Sequence, residues 1–151
     1  MKIYKNFNVS KKFESSAIAI GNFDGFHLGH QKVIKSGKYL ARKHKLKFGL
    51  LVFHPLPVMF FNKKIKNFRI DSLKQKIETS KKLGIDFIII KKFDKKFSKT
   101  SAENFIEYVL YKKLKAKLIF ISQNFKFGKN RAGNINLLKK KESIYKYKTK
   151  T

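Results

Sequence analysis

The densest chemistry in the sequence lies in Gly21-Asn22-Phe23-Asp24-Gly25-Phe26-His27-Leu28-Gly29-His30-Gln31, and its centre is His27-x-Gly29-His30. Two of the chain's four histidines stand three residues apart there, where an apolar run ends in glycine and a helical pattern begins. A helix N-terminus offers N–H groups without intrahelical partners and the positive end of the helix dipole, so it attracts phosphate. Gly29 lets a triphosphate approach the backbone closely. His27 and His30 can donate to phosphate oxygens as charge builds up on them during group transfer. Asp24 can help hold Mg²⁺ or orient the ligand. The bland alternative is a capped helix behind a glycine turn, with two incidental histidines. Zinc binding by His27 and His30 lacks a third ligand nearby.

The elements that must position this turn read as alternating strands and helices. Residues 17–21, AIAIG, are a short β-branched strand ending at the glycine. Gly29 to His44 reads as a helix with Val33, Ile34, Gly37 and Leu40–Ala41 on one inner face. FGLLVF at 48–53 is a continuous apolar run, as expected for a buried parallel strand, and DFIIIK at 86–91 and KLIFIS at 117–122 are two further strands. HPLPVMF, which holds both prolines, reads as irregular. Asp71 or Ser72 can cap a helix through Leu83 with Gly84 as its stop, and Ser101 opens another with Phe105, Ile106, Val109, Leu110 and Leu114 as its stripe. After the loop NFKFGKNRAGN, Asn134 starts a last short helix through Leu138, and KKKESIYKYKTKT is expected to fray. This order predicts an α/β fold with a largely parallel sheet, helices on both faces and a ligand beyond the carboxyl ends of the strands.

With 151 residues, 42% hydrophobic and 15% aromatic, the chain can bury a core as one domain, expected over 1–140 with a polar tail at 141–151. The absence of cysteine excludes disulfides, thiolate catalysis and cysteine-ligated zinc. No apolar run approaches the ~20 residues of a membrane span, and MKIYKNFNVSKKFESS carries no apolar leader segment, so the expected location is cytoplasmic, with no membrane partner. The net charge is +28, yet only Arg42, Arg69 and Arg131 among the basic residues are arginine. Proteins that read nucleic acid favour arginine for its bidentate fork, which weighs against such a partner. A composition rich in Lys, Ile, Phe and Asn fits a low-GC genome that decorates solvated faces with lysine; a positive field for anionic ligands is the other reading.

The string GNFDGFHLGHQ resembles the HxGH nucleotidyltransferases, and within them the FMN adenylyltransferase (FAD synthetase) module of the bacterial bifunctional riboflavin kinase/FAD synthetase family. Further blocks follow in the family's order. Val52-Phe53-His54-Pro55-Leu56-Pro57 with Phe60-Phe61 is similar to its Phe-x-Pro-x-Pro segment. Lys76 with Leu83-Gly84-Ile85-Asp86 resembles its helix-to-strand turn. Phe93-Asp94, Phe97-Ser98 and Ser101-Ala102-Glu103-Asn104-Phe105 form another such block, and Asn124-Phe125-Lys126-Phe127-Gly128 with Arg131-Ala132-Gly133 resembles its last loop. Leu56 departs from the histidine common between the prolines, and Ser122-Gln123 replace a Gly and an acid.

The resemblance implies a Rossmann-like nucleotidyltransferase (HxGH) fold and transfer of an adenylyl group from ATP to FMN, giving FAD and pyrophosphate. It implies that His27, His30 and Asp24 act on the phosphates, and that Gly21, Asn22, Phe23, Gly29 and Arg131 bind ATP. Pro55, Pro57, Phe61, Asn124 and Phe127 would line the flavin site, and Mg²⁺ would accompany ATP. The family's module normally continues to an ISSTxIR segment and then a riboflavin kinase domain. Neither occurs before Thr151, so the expectation is a module incomplete at its C-terminus, without kinase activity. Two other readings remain: an HxGH adenylyl- or cytidylyltransferase for another phosphate ester, and a non-enzymatic basic protein that binds nucleic acid.

Overall fold

A computed structural model describes residues 1–64 and 72–151. Six strands, β1 (Lys2–Tyr4), β2 (Ala17–Ile20), β3 (Phe48–His54), β4 (Phe87–Lys92), β5 (Leu118–Phe120) and β6 (Lys148–Lys150), form one sheet in the order β1-β4-β3-β2-β5-β6. Every pair is parallel, with Ala17 opposite Phe48 on one side of β2 and opposite Leu118 on the other. The expected α/β architecture is therefore present. The chain steps outward from β2 through β3 to β4, then returns to place β5 on the far side of β2. That reversal falls between β2 and β5, and doubly wound sheets bind ligands beyond the carboxyl ends of the strands at such a switch.

The four anticipated strands are the sheet's interior, and their runs are apolar because both faces are covered. Successive side chains alternate between two cores. Ile18, Ile20, Leu51 and Ile89 face one, completed by Phe105, Ile106, Leu110 and Leu114; Ala17, Ala19, Leu50 and Ile88 face the other, completed by Ile34 and Ala41. Small residues sit where the helix after β2 comes close. A side chain at Gly37 would run into the Phe48 ring.

That helix, α1 (Leu28–Lys43), starts one residue before the expected Gly29. The segment after β3 contains a short helix, α2 (Pro57–Phe61), rather than irregular chain; Pro57 suits its first turn, where an N–H would have no partner. Helix α3 (Leu73–Lys82) is capped by Ser72 in a reciprocal capping box with Gln75, while the alternative cap Asp71 lies outside the described residues. Helix α4 (Lys95–Ser98) precedes α5, which opens at Ser101, runs as α-helix over Ala102–Asn104 and continues in π geometry over Phe105–Lys113. Its expected stripe is buried throughout. Asn134 caps α6 (Ile135–Lys140), and α7 (Glu142–Tyr145) follows.

The C-terminal expectation is overturned. Residues 141–151 are no fraying tail: α7 leads into β6, which pairs with β5, and Tyr147 is buried with its hydroxyl donating to the Leu138 carbonyl at 2.5 Å. Each of the edge strands β1 and β6 is only three residues long and carries lysines, which suits a sheet edge and hides it from a search for apolar runs.

Candidate active site

The backbone leaves β2 with the Gly21 N–H still donating to Leu51 of β3 at 3.2 Å, then folds back on itself. Phe23, Gly25 and Phe26 all take positive φ, at 47°, 70° and 42°. For the phenylalanines this costs about 1–3 kcal/mol each. Both rings are buried and stacked on each other, which returns about 1.5–3 kcal/mol apiece. The Gln31 amide donates to the Phe26 carbonyl at 3.0 Å and ties the turn to α1.

His27 is the N-cap of α1. Its Nδ1 accepts from the N–H groups of Gly29 at 3.1 Å and His30 at 3.4 Å. Two of the helix's free donors are thus taken by an imidazole, and the sequence reading of them as open to phosphate is corrected accordingly. An accepting Nδ1 places the ring proton on Nε2, and His27 is exposed. Gly29 gains a specific purpose: a side chain there would stand 3.0 Å from the capping ring.

The His30 ring lies against His27, with centroids 3.6 Å apart and planes 24° apart. Phe23 packs on it at 5.1 Å. Burial, then the neighbouring His27 and Lys76, push its pKa down to about 4 against the opposing charge of Asp24, so His30 is neutral at pH 7. Its Nδ1 is buried without a hydrogen-bond partner. Phe23, expected among the ATP contacts, supports His30 from the core instead of presenting its ring to solvent.

Sequence reasoning gave Lys76 no role. It is 4% exposed, the one buried charged side chain among the described residues, and its Nζ donates to the Asn22 carbonyl at 2.5 Å. The available signal was a lysine on the same face of α3 as Leu73, Ile77 and Ser80.

Of the residues expected on the flavin side, Phe127 and, through Phe93, Phe61 belong with the core on the opposite face of the sheet. The His54–Pro55 bond is cis, and Leu56 is buried, which an apolar side chain tolerates at this departure from the resembled pattern. Phe60, Phe61 and Phe93 meet edge to face at 5.2–5.7 Å, and Phe93 continues to Phe97 and Phe53. Phe61 ends this ladder 68% exposed, with Pro55 and Pro57 half-buried beside it in sequence. After β5, exposed Asn124 lies in a turn closed by the Phe125 N–H to Ser122 at 3.1 Å. Phe127 is buried against Phe105 and Phe125, so it braces this loop rather than lining an open surface. Arg131 is exposed on the same loop, which is held to the link between α4 and α5 by the Lys129 N–H donating to the Thr100 carbonyl at 2.8 Å. Its own N–H donates to the Gly128 carbonyl at 3.0 Å within that loop.

Among the described residues no group of three or more His, Asp and Glu could hold a metal, and no helix is long and apolar enough to cross a membrane. A solved structure described as a macrolide-efflux protein from Streptococcus pneumoniae superposes with a TM-score of 0.78 over 99% of this chain and 49% of its own, at 20% identity, which shows a shared fold. Proteins named bifunctional riboflavin kinase/FMN adenylyltransferase are similar in sequence. That of Buchnera aphidicola (Schizaphis graminum) is 40% identical over 149 residues, 98% of this chain and 48% of the relative. That of Haemophilus influenzae is 37% identical over 131 residues, 87% and 42%, and that of Escherichia coli K12 is 32% identical over 127 residues, 84% and 41%. The chain spans about half the length of these curated relatives. The family model for FAD synthetase matches residues 9–151, and the chain belongs to that family.

Proposed function

We propose that this chain is an FMN adenylyltransferase. The observation that carries the reading is the capped His27/His30 pair at the start of α1, where the strand order reverses beside β2. A terminal phosphate oxygen of FMN attacks the α-phosphorus of ATP, the bond to the bridging oxygen of the β-phosphate breaks, and pyrophosphate leaves as FAD forms. This in-line displacement needs no protein nucleophile; it needs positioning and charge stabilisation. His27 donates from Nε2 to the phosphates, and neutral His30 donates from its unburied nitrogen. Gly21, Asn22 and Gly29 shape the phosphate side with backbone, and Asp24 supplies a carboxylate.

The donor set suits Mg²⁺ carried in by the triphosphate. One carboxylate, Asp24, is compatible with an ion that keeps phosphate oxygens and water as most of its ligands. When bound, the ion would neutralise phosphate charge. The flat isoalloxazine packs on Phe61, Pro55 and Pro57, and Asn124 offers a donor and an acceptor to its polar edge. Arg131 answers phosphate from the flavin side. Residues 1–151 then act as one adenylyltransferase domain, and only that half of the relatives' double name is assigned to it. The cytoplasmic location belongs to this reading, since ATP and FMN are anions that do not enter a bilayer unaided.

The test is chromatographic detection of FAD from FMN, ATP and Mg²⁺ with the purified chain. Wild type is expected to form FAD, and His30→Ala to lose it. Binding of ATP without any FAD formation, with turnover of a different phosphate ester, would point to another acceptor.

A further inference from the structure

Lys76 is separated from the histidine turn by more than forty residues of sequence, yet its ammonium ends at that turn. It reaches there from the second turn of α3, a helix whose start is fixed by the Ser72–Gln75 capping box. The Asn22 carbonyl that it holds directly precedes Phe23, the first of the positive-φ residues. A backbone that bends three times in five residues has little intrinsic preference for its shape, so an anchor at its first residue sets where Asp24, His27 and His30 stand. A buried ammonium is costly unless it is hydrogen-bonded and its charge is used. Its surroundings give it that use: His30 lies within its field, and the ligand proposed for this turn is a polyanion.

We propose that Lys76 is a positioning residue of the phosphate-binding turn, its buried ammonium holding the Asn22 carbonyl and through it the placement of Asp24, His27 and His30. The inference rests on the adenylyltransferase reading for its ligand, a nucleoside triphosphate. Lys76 does not touch that ligand, being nearly inaccessible to solvent. It acts on ATP and not on FMN, because the flavin-side ladder of Phe61, Phe93 and Phe97 packs on the other face of the sheet.

The test compares wild type, Lys76→Met, Lys76→Gln and Lys76→Arg in ATP binding by calorimetry, in FAD formation, and in the NMR titration of the His30 ring. The two neutral variants are expected to weaken ATP binding and lower kcat by at least about tenfold, since small misplacements of catalytic groups are expensive. KM for FMN should stay within about twofold, and Lys76→Arg should recover most of the loss. The groups facing His30 are His27, Asp24 and Lys76, so removing the lysine charge should move the His30 titration upward. Folded neutral variants with unchanged ATP binding overturn the proposal. So does failure of both to fold, which would make Lys76 a general brace. A wild type that binds ATP but makes no FAD refutes the adenylyltransferase reading, while the calorimetric comparison still decides the role of Lys76.

Discussion

The imidazoles of His27 and His30 stack at 3.6 Å, and one of them also closes the helix on which the other rides. His27 therefore has two separable tasks: Nδ1 caps α1, and Nε2 is left for a ligand. Asparagine is a good N-cap through Oδ1, and its amide nitrogen is set closer to the backbone than Nε2 of the longer imidazole. His27→Asn is expected to unfold within about 0.5 kcal/mol of wild type, whereas His27→Ala loses about 0.5–2 kcal/mol. Both should lose FAD formation. Urea denaturation beside the FAD assay checks this, and an active His27→Asn would show that the cap alone matters.

Gly29→Ala separates the same tasks from the other side. Alanine favours the helix by about 1 kcal/mol, but its methyl would press on the His27 ring from 3.0 Å. His27 is exposed and can swing away, so thermal stability should hold or rise slightly while kcat falls. A variant with full activity would mean that the ring's stacked position is dispensable.

His30 should make stability depend on pH. In the unfolded chain it binds its proton near the ordinary 6.5, and in the folded chain only near 4. Between those values the unfolded state holds more protons, so stability rises with pH through the window and is independent of His30 above it. The slope is bounded by one proton, about 1.4 kcal/mol per pH unit. His30→Gln should flatten the difference between urea midpoints at pH 7 and 4.5. Parallel profiles for the two proteins would show that His30 is not held neutral.

Phe61 ends an aromatic ladder with most of its ring in water, an arrangement that burial alone does not favour. Phe61→Ser is expected to leave the melting temperature nearly unchanged and to raise KM for FMN severalfold without altering KM for ATP. Unchanged KM for both substrates would remove Phe61 from the flavin site.

How far the sequence could be read follows the covering of each segment. The central strands β2 to β5 announce themselves because both faces are buried, so Ala17–Ile20 and Phe87–Ile90 are unbroken apolar runs. His27 and His30 were legible through type and spacing, but the cap was not: a histidine's choice between capping and donating depends on backbone geometry at Gly29. Phe23 and Phe127 look like ligand contacts in a list of motif residues, and only packing shows that they brace their loops. Lys76 stood out as a member of a motif block, but its role did not, since only the folded chain shows that its ammonium reaches the Asn22 carbonyl.

The C-terminal segment misled for a related reason, and it yields the last prediction. KYKTK is polar at alternate positions because β6 is an edge strand with a single covered face: Tyr147 and Thr149 point inward while Lys146, Lys148 and Lys150 remain in water. The strand is held by the Lys148 N–H donating to Lys117 at 2.9 Å and the Ile121 N–H donating to Lys150 at 3.0 Å. The Thr149 N–H donates to Glu142 at 2.7 Å and closes α7 onto the strand. Tyr147 carries most of the burial, so Tyr147→Ala should cost about 3–5 kcal/mol, as large-to-small core changes do. Tyr147→Phe keeps the ring and loses only the bond to Leu138, for about 0.5–1.5 kcal/mol. Thermal denaturation of the two variants measures the difference. A fraying tail would leave both melting with wild type; a sixth strand built into the core separates them in that order.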